Sequence, residues 1–196
     1  MDRATRFIWE MHCGRKNRKM FKKAMSLLCE VIQQTSDLTL LTDGERRYGS
    51  LLFEICSDVL RNGKRGRPKK TLRKGVKVRL KNKGAQWHKR GPKRPKYEAP
   101  YPEHPDTEQR IATKDIHANH LEAFNTSLRR RCAAYRRRTN MYAKNTRRLQ
   151  ERLDVYWIVH NFVRVHFTTR QVPAVALGVL ESGLSLHEIF FIQRIA

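Results

Sequence analysis

NHLEAFNTSLRRRCAAYRRRTNMYAK, residues 119–144, sets one acid, Glu122, ahead of two arginine blocks, Arg129 to Arg131 and Arg136 to Arg138. Its spacing predicts a helix. Leu121, Phe124, Leu128 and Cys132 recur as an apolar stripe, and Glu122, Asn125 and Arg129 fall at i, i+3 and i+7 on the adjacent face. That face suits an enzyme holding a divalent metal beside a nucleic-acid backbone. A carboxylate offers hard oxygen to the cation, and guanidinium groups pair with phosphates. A solvated basic helix with one incidental Glu is the alternative reading of the same residues.

The rest of the chain favours the nucleic-acid reading. Lys and Arg number 42 against 18 acids in 196 residues, a formal charge of +24. A compact protein so charged repels itself, and a polyanionic partner relieves that repulsion. A membrane is the weaker candidate, because no apolar run approaches the ~20 residues needed to span one. No signal peptide is visible, and Asp2, Arg3, Arg6 and Glu10 crowd the N-terminus. Cys13, Cys29, Cys56 and Cys132 are widely spaced, which suggests reduced, mostly buried thiols rather than a zinc site.

Three regions differ in texture. Residues 1–60 read as compact α/β: a strand over Thr5 to Met11, a helix over Lys16 to Gln34, a strand over Asp37 to Thr42 and a helix over Tyr48 to Leu60. Strand, helix, strand suggests a βαβ-like unit. Residues 61–115 change character. Between Arg61 and Lys96 there are seventeen Lys or Arg and no Asp or Glu, and repeated prolines break any long helix. Only Gly75 to Leu80 alternates like a strand, so this region reads as an extended, partly disordered basic insertion with room for one hairpin. Residues 116–196 read as helical. A second helix is expected over Asn145 to Phe167, with Leu149, Leu153, Tyr156, Trp157, His160 and Val163 on one side. Gly178 ends the next piece, and Ser185 with Glu188 makes a capping box for a last helix from Leu186 to Ile195.

Asp43 stands where a short apolar strand meets a Gly-containing loop, a common active-site position in open α/β folds. Asp-Gly is also an ordinary turn dipeptide. Within GKRGRPKK, Arg65, Arg67, Lys69 and Lys70 flank a Gly-Arg-Pro core that resembles an AT-hook, a minor-groove ligand of A·T-rich DNA. Nonspecific phosphate contact is the default reading of these cations. His117 and His120 lie near Glu122, but without cysteine partners or an HExxH pattern they make a poor zinc site.

TDGERRYG (residues 42–49) followed by LEAFNTSLRRR (residues 121–131) resembles the second and third acids of DDE transposases of bacterial insertion sequences, with the insertion-sequence type 1 group the closest fit. In that family a strand ends in TD with a Tyr a few residues on. A later helix bears E-x-x-N-x-x-L-R, matched here by Glu122, Asn125, Leu128 and Arg129. HNFVRVHFTTRQVPAVALG (residues 160–178) is similar to the family's Asn…Arg-x-His…Pro-Ala ending through Asn161, Arg164, His166, Pro173 and Ala174. The three pieces occur in the family's order and cover most of the chain.

The resemblance implies an α/β fold with an RNase H-like core, here lacking its first strand, with residues 1–60 and 116–196 as its two parts. MDRATRFIWEMHCG resembles the family's second strand, which makes Asp2 the non-catalytic acid and places the first catalytic Asp upstream of Met1; the competing alignment makes Asp2 itself that first acid. In the intact site Asp43, Glu122 and that Asp hold two Mg²⁺ or Mn²⁺ ions for cleavage at element ends and strand transfer. DNA, as terminal inverted repeats and target, is the implied partner, with Arg65, Arg67, Lys69, Lys70, Asn125, Arg129, Arg130, Arg136 and Arg137 as contacts. A homo-oligomer on DNA and a prokaryotic cytoplasmic, nucleoid-associated location follow from the same resemblance. A chain with two of three acids is expected to bind DNA and transpose poorly. A regulatory fragment and a basic nucleic-acid-binding protein without catalysis remain the alternatives.

Overall fold

The computed structural model describes residues 1–15, 17–61, 63, 65–82, 95–136 and 140–192. It is mixed α/β, with small sheets and several helices. Two compact units emerge: unit 1 joins Met1–Arg15 to His120–Ala196, and unit 2 is Lys16–Asn119. This division cuts across the boundaries at 60 and 115 read from composition.

Unit 2 begins with α1 (Arg18–Lys23) and α2 (Ser26–Gln34), where one continuous helix over Lys16 to Gln34 was expected. Asn17 caps α1 by accepting from the Met20 amide at 3.0 Å, and the chain breaks at Ala24 and Met25 so that Met25 turns into the core. The strand β1 (Leu38–Thr42) follows as expected. The helix α3 (Arg46–Ile55) ends before Cys56, and the residues assigned to its last turn form β2 (Ser57–Leu60) instead.

The basic insertion is more structured than its charge suggests. It supplies β3 (Lys69–Leu72), antiparallel to β2, and β4 (Val76–Lys81), parallel to β1 from Leu38 opposite Val76 to Thr42 opposite Leu80. A short β5 (Tyr97–Glu98) adds antiparallel to β4, giving the order β1-β4-β5. The sheet carries one face of the core. Val76 and Val78 pack with Leu51, Leu52, Leu72, Phe21 and Ile32.

On β4 the alternate residues Lys77 and Arg79 are also buried, and each is paired with a carboxylate. Lys77 Nζ lies 3.1 Å from Asp37. Arg79 forms a forked ion pair with Glu103 and donates to the Gln109 carbonyl at 3.1 Å. Part of the basic count is therefore structural. Gly75 enters this strand at φ 82, and a Cβ there would sit 1.7 Å from the Ser36 carbonyl oxygen. Only glycine fits.

Unit 1 is built around α4 (Asn119–Arg131) and α5 (Thr146–Ile158). Asn145 caps α5, accepting from the amides of Arg147 and Arg148 at 2.9 and 3.2 Å. A π-turn, Val159–Val163, extends it and ends it four residues short of Phe167. The expected inward face is present, with Leu153 and His160 buried. Of the stripe expected on α4, Leu128 is buried and Phe124 half-buried, whereas Leu121 is exposed. The short α6 (Pro173–Ala176) starts on its proline, and α7 (Leu186–Ile192) carries the predicted capping box: Ser185 Oγ accepts from the Glu188 amide at 3.1 Å, and the Glu188 carboxylate accepts from the Ser185 amide at 2.7 Å. The remainder of that expected helix, to 195, lies outside the described residues.

The segment Thr5 to Met11, read as a strand from its Phe, Ile and Trp content, joins no sheet. It runs extended along α5, and side chains replace a neighbouring strand. Asn161, fully buried, accepts from the Ile8 amide and donates to the Ile8 carbonyl, both at 2.9 Å. Trp157 Nε1 also donates to the Ile8 carbonyl. Gln150 accepts from the Cys13 amide at 2.9 Å and donates to the Met11 carbonyl at 2.8 Å. Phe7 is locked edge-on among Trp9, Trp157 and Phe162, with centroids 5.3 to 6.3 Å apart.

Candidate nucleic-acid interface

Glu122 lies in the first turn of α4 and is exposed, with Asn125 and Arg129 half-buried on the same helical face. The expected helix and its i, i+3, i+7 face are thus present. Arg130 and Arg131 are exposed in the last turn, where cations also complement the helix dipole. Arg131 donates to Ser127 Oγ at 2.6 Å. Arg136 is exposed just after the 3-10 turn Ala133–Tyr135, and Arg137 lies outside the described residues.

Composition at the start of α5 adds cations that motif reading passed over. Arg147, Arg148 and Arg152 are exposed, and Arg131, Arg148 and Arg152 line a groove of about 660 Å³ between α4 and α5. Glu151 stands in the same groove and pairs with Arg147 at 3.3 Å, one turn apart. The sequence signal was available as TRRLQER directly after an Asn cap.

In unit 2, Asp43 is half-buried immediately after β1, at the C-terminal end of the parallel pair with β4. Gly44 continues the turn at φ 94. Arg65, Arg67, Lys69 and Lys70 are all exposed on the β2–β3 hairpin, Lys69 and Lys70 within β3 itself. These cations are open to solvent, whereas Lys77 and Arg79 in the same basic run are buried in ion pairs.

Asp2 has a separate, local use. Its carboxylate accepts from the Thr5 amide at 2.7 Å and the Thr5 hydroxyl at 2.6 Å, closing a turn. Burial pushes its pKa up, but those bonds outweigh it and hold the carboxyl below its ordinary value. Among the described residues no group of three or more His, Cys, Asp and Glu gathers as a metal-binding cluster. Cys13, Cys56 and Cys132 are thiols, and of these only Cys56 is buried. No described helix is long and apolar enough to cross a membrane.

No protein-family model, curated protein or solved structure matches the chain.

Proposed function

We propose that this chain acts in transposase-type DNA recombination on an RNase H-like core, with Asp43 and Glu122 as metal-binding carboxylates and the exposed arginines as the DNA-holding surface. The observation that carries the reading is α4, which presents an exposed Glu122 one turn before Asn125 and two turns before Arg129 on one face. Asp43 supports it from the end of a parallel strand, where side chains reach a ligand at the rim of a sheet. The donor chemistry fits the ion: both residues offer only hard carboxylate oxygens, suited to Mg²⁺ or Mn²⁺. When bound, such ions supply an activated attacking oxygen and stabilise the leaving one at a phosphodiester.

The chain's own residues have simpler tasks. Arg129 and Arg130 on α4, with the α5 arginines, neutralise phosphates. The hairpin cations Arg65, Arg67, Lys69 and Lys70 of unit 2 contact phosphates in the same way. Asn125 is placed to donate or accept beside the carboxylate. DNA, as element ends and target, is the partner, and the protein works as a homo-oligomer on it in a prokaryotic cytoplasm.

Binding of Mn²⁺, followed by electron paramagnetic resonance on the chain mixed with duplex DNA, tests this reading. The double variant Asp43→Asn, Glu122→Gln is expected to lose at least about tenfold in ion affinity and to keep its DNA affinity. Equal Mn²⁺ binding by both proteins would leave a basic nucleic-acid-binding protein without this chemistry.

A further inference from the structure

A second site lies in unit 1, away from Glu122's exposed face, where the N-terminal arm, α4 and the loop after the π-turn enclose a cavity of about 160 Å³. Its walls include Arg6, Arg164, His120, His166, Ser127 and Thr168, over a floor of Phe124 and His160. We propose that this cavity binds a phosphate group of nucleic acid. It rests on the recombination reading only for the source of that phosphate.

Charge is the first argument. Among the described residues lining the cavity there is no carboxylate, whereas two arginines and three histidines do line it, the Arg6 guanidinium also donating to the Arg3 carbonyl. Burial, and then the charges of Arg6 and Arg164, push the His166 pKa below its ordinary value. Asp2, outside the lining, faces Arg6 and the Met1 amine and offsets part of that positive charge; the remainder favours the entry of an anion.

Hydrogen bonding is the second. Ser127 Oγ accepts from Tyr156 Oη at 3.2 Å and from Arg131 at 2.6 Å. Both lone pairs are taken, so its own proton is left to donate elsewhere. Thr168 brings a second hydroxyl to the same wall. The donors therefore outnumber the acceptors, as an oxyanion requires.

Rigidity and size complete the case. Phe124 and His160 stack edge to face at 5.3 Å, and His160 Nε2 donates to the Arg6 carbonyl at 3.1 Å. That bond holds Arg6 at φ 66, a left-handed conformation that a non-glycine residue adopts only when its surroundings impose it. The volume has room for about five waters, hence for one phosphate with a water or two. At the rim Phe167 is 78% exposed, with the Arg170 guanidinium 4.7 Å from its ring centre, a platform on which an adjoining base could stack.

Histidine resonances of the whole chain, followed by NMR across pH, test the proposal with three probes: inorganic phosphate, a short single-stranded oligonucleotide bearing a 5′-phosphate, and the same oligonucleotide without it. The expected result is an upward shift of the His166 pKa that Arg164→Ala weakens by about tenfold in probe affinity. A shift with inorganic phosphate and the 5′-phosphorylated strand alone assigns the site to a terminal phosphate. An equal shift with both strands assigns it to an internal phosphodiester. Should Arg164→Ala fail to fold, Thr168→Val on the same exposed loop serves in its place. No shift of His166 with any probe would overturn the proposal. Duplex binding, measured in parallel by gel shift, separates the two readings: retained duplex binding without a His166 shift defeats the cavity alone, and phosphate binding without duplex binding defeats the nucleic-acid reading alone.

Discussion

In unit 2 the extended strand β1 finds its partners in backbone, residue for residue along β4, whereas in unit 1 the extended arm from Arg6 to Cys13 finds them in the side chains of α5 and the π-turn that continues it. Both segments face the same requirement, since a buried amide or carbonyl left unpaired costs about 1–3 kcal/mol. A ladder meets it generically, and almost any apolar β-forming sequence would do. The arm depends on named residues at fixed intervals along one helix: Gln150, Trp157, His160 and Asn161. Stability in unit 2 should therefore be sensitive to backbone geometry, and in unit 1 to side-chain chemistry.

The largest effect should come from the backbone side of that contrast. Gly75→Ala places a methyl group against the Ser36 carbonyl at a positive φ, so the β1–β4 entry must deform. A loss of more than about 3 kcal/mol is expected, read by urea unfolding with a probe in unit 2. A loss under about 1 kcal/mol would mean that this turn does not set the register.

Next comes the side-chain counterpart. Asn161→Leu nearly conserves volume but removes both amide bonds to Ile8. The Ile8 carbonyl keeps Trp157, while its amide is orphaned. About 3 kcal/mol of destabilisation is expected, with rapid hydrogen exchange at Ile8. Unchanged exchange there would show that packing of Phe7 alone fixes the arm.

The smallest effect is a pH dependence that unit 1 should show through its histidine. Burial lowers the His160 pKa, opposed by its bond to the Arg6 carbonyl and reinforced by His166, Arg164 and Arg131. Above about pH 6.5 the imidazole is neutral in both folded and unfolded chains, so its full contribution is present. As pH falls through that value towards the lower folded pKa, only the unfolded chain takes up the proton, and stability declines. Unfolding measured from pH 7 to pH 5 should slope downward, and His160→Gln should flatten the slope. An unchanged slope in the variant would assign the dependence to other groups.

Sequence periodicity revealed the parts of the molecule whose partners are local. The strands β1 and β4, the inward face of α5 and the Ser185–Glu188 box are all written in neighbouring residues. The arm read as a strand through Phe7, Ile8 and Trp9, because composition cannot say whether backbone or a helix's side chains will satisfy an extended segment. Likewise the apolar spacing that defines α3 runs on through Val59 and Leu60, and only pairing with β3 makes those residues a strand. The basic run concealed its two buried cations, because Asp37 and Glu103, the acids that pair with Lys77 and Arg79, lie outside it. Of the candidate site, α4 and its Glu122 face could be read directly, whereas the arginines on α5 and the cavity below Arg6 depend on which segments the fold packs together.

The most direct test of the proposed chemistry uses Fe²⁺ in place of Mg²⁺, with ascorbate and peroxide, on the chain bound to duplex DNA. Hydroxyl radicals formed at a bound ion cut the polypeptide nearby, and mass spectrometry locates the cuts. Cleavage near Asp43, lost in Asp43→Asn, and cleavage near Glu122, lost in Glu122→Gln, is the predicted result. Cleavage at neither residue, or cleavage indifferent to both substitutions, would contradict the account.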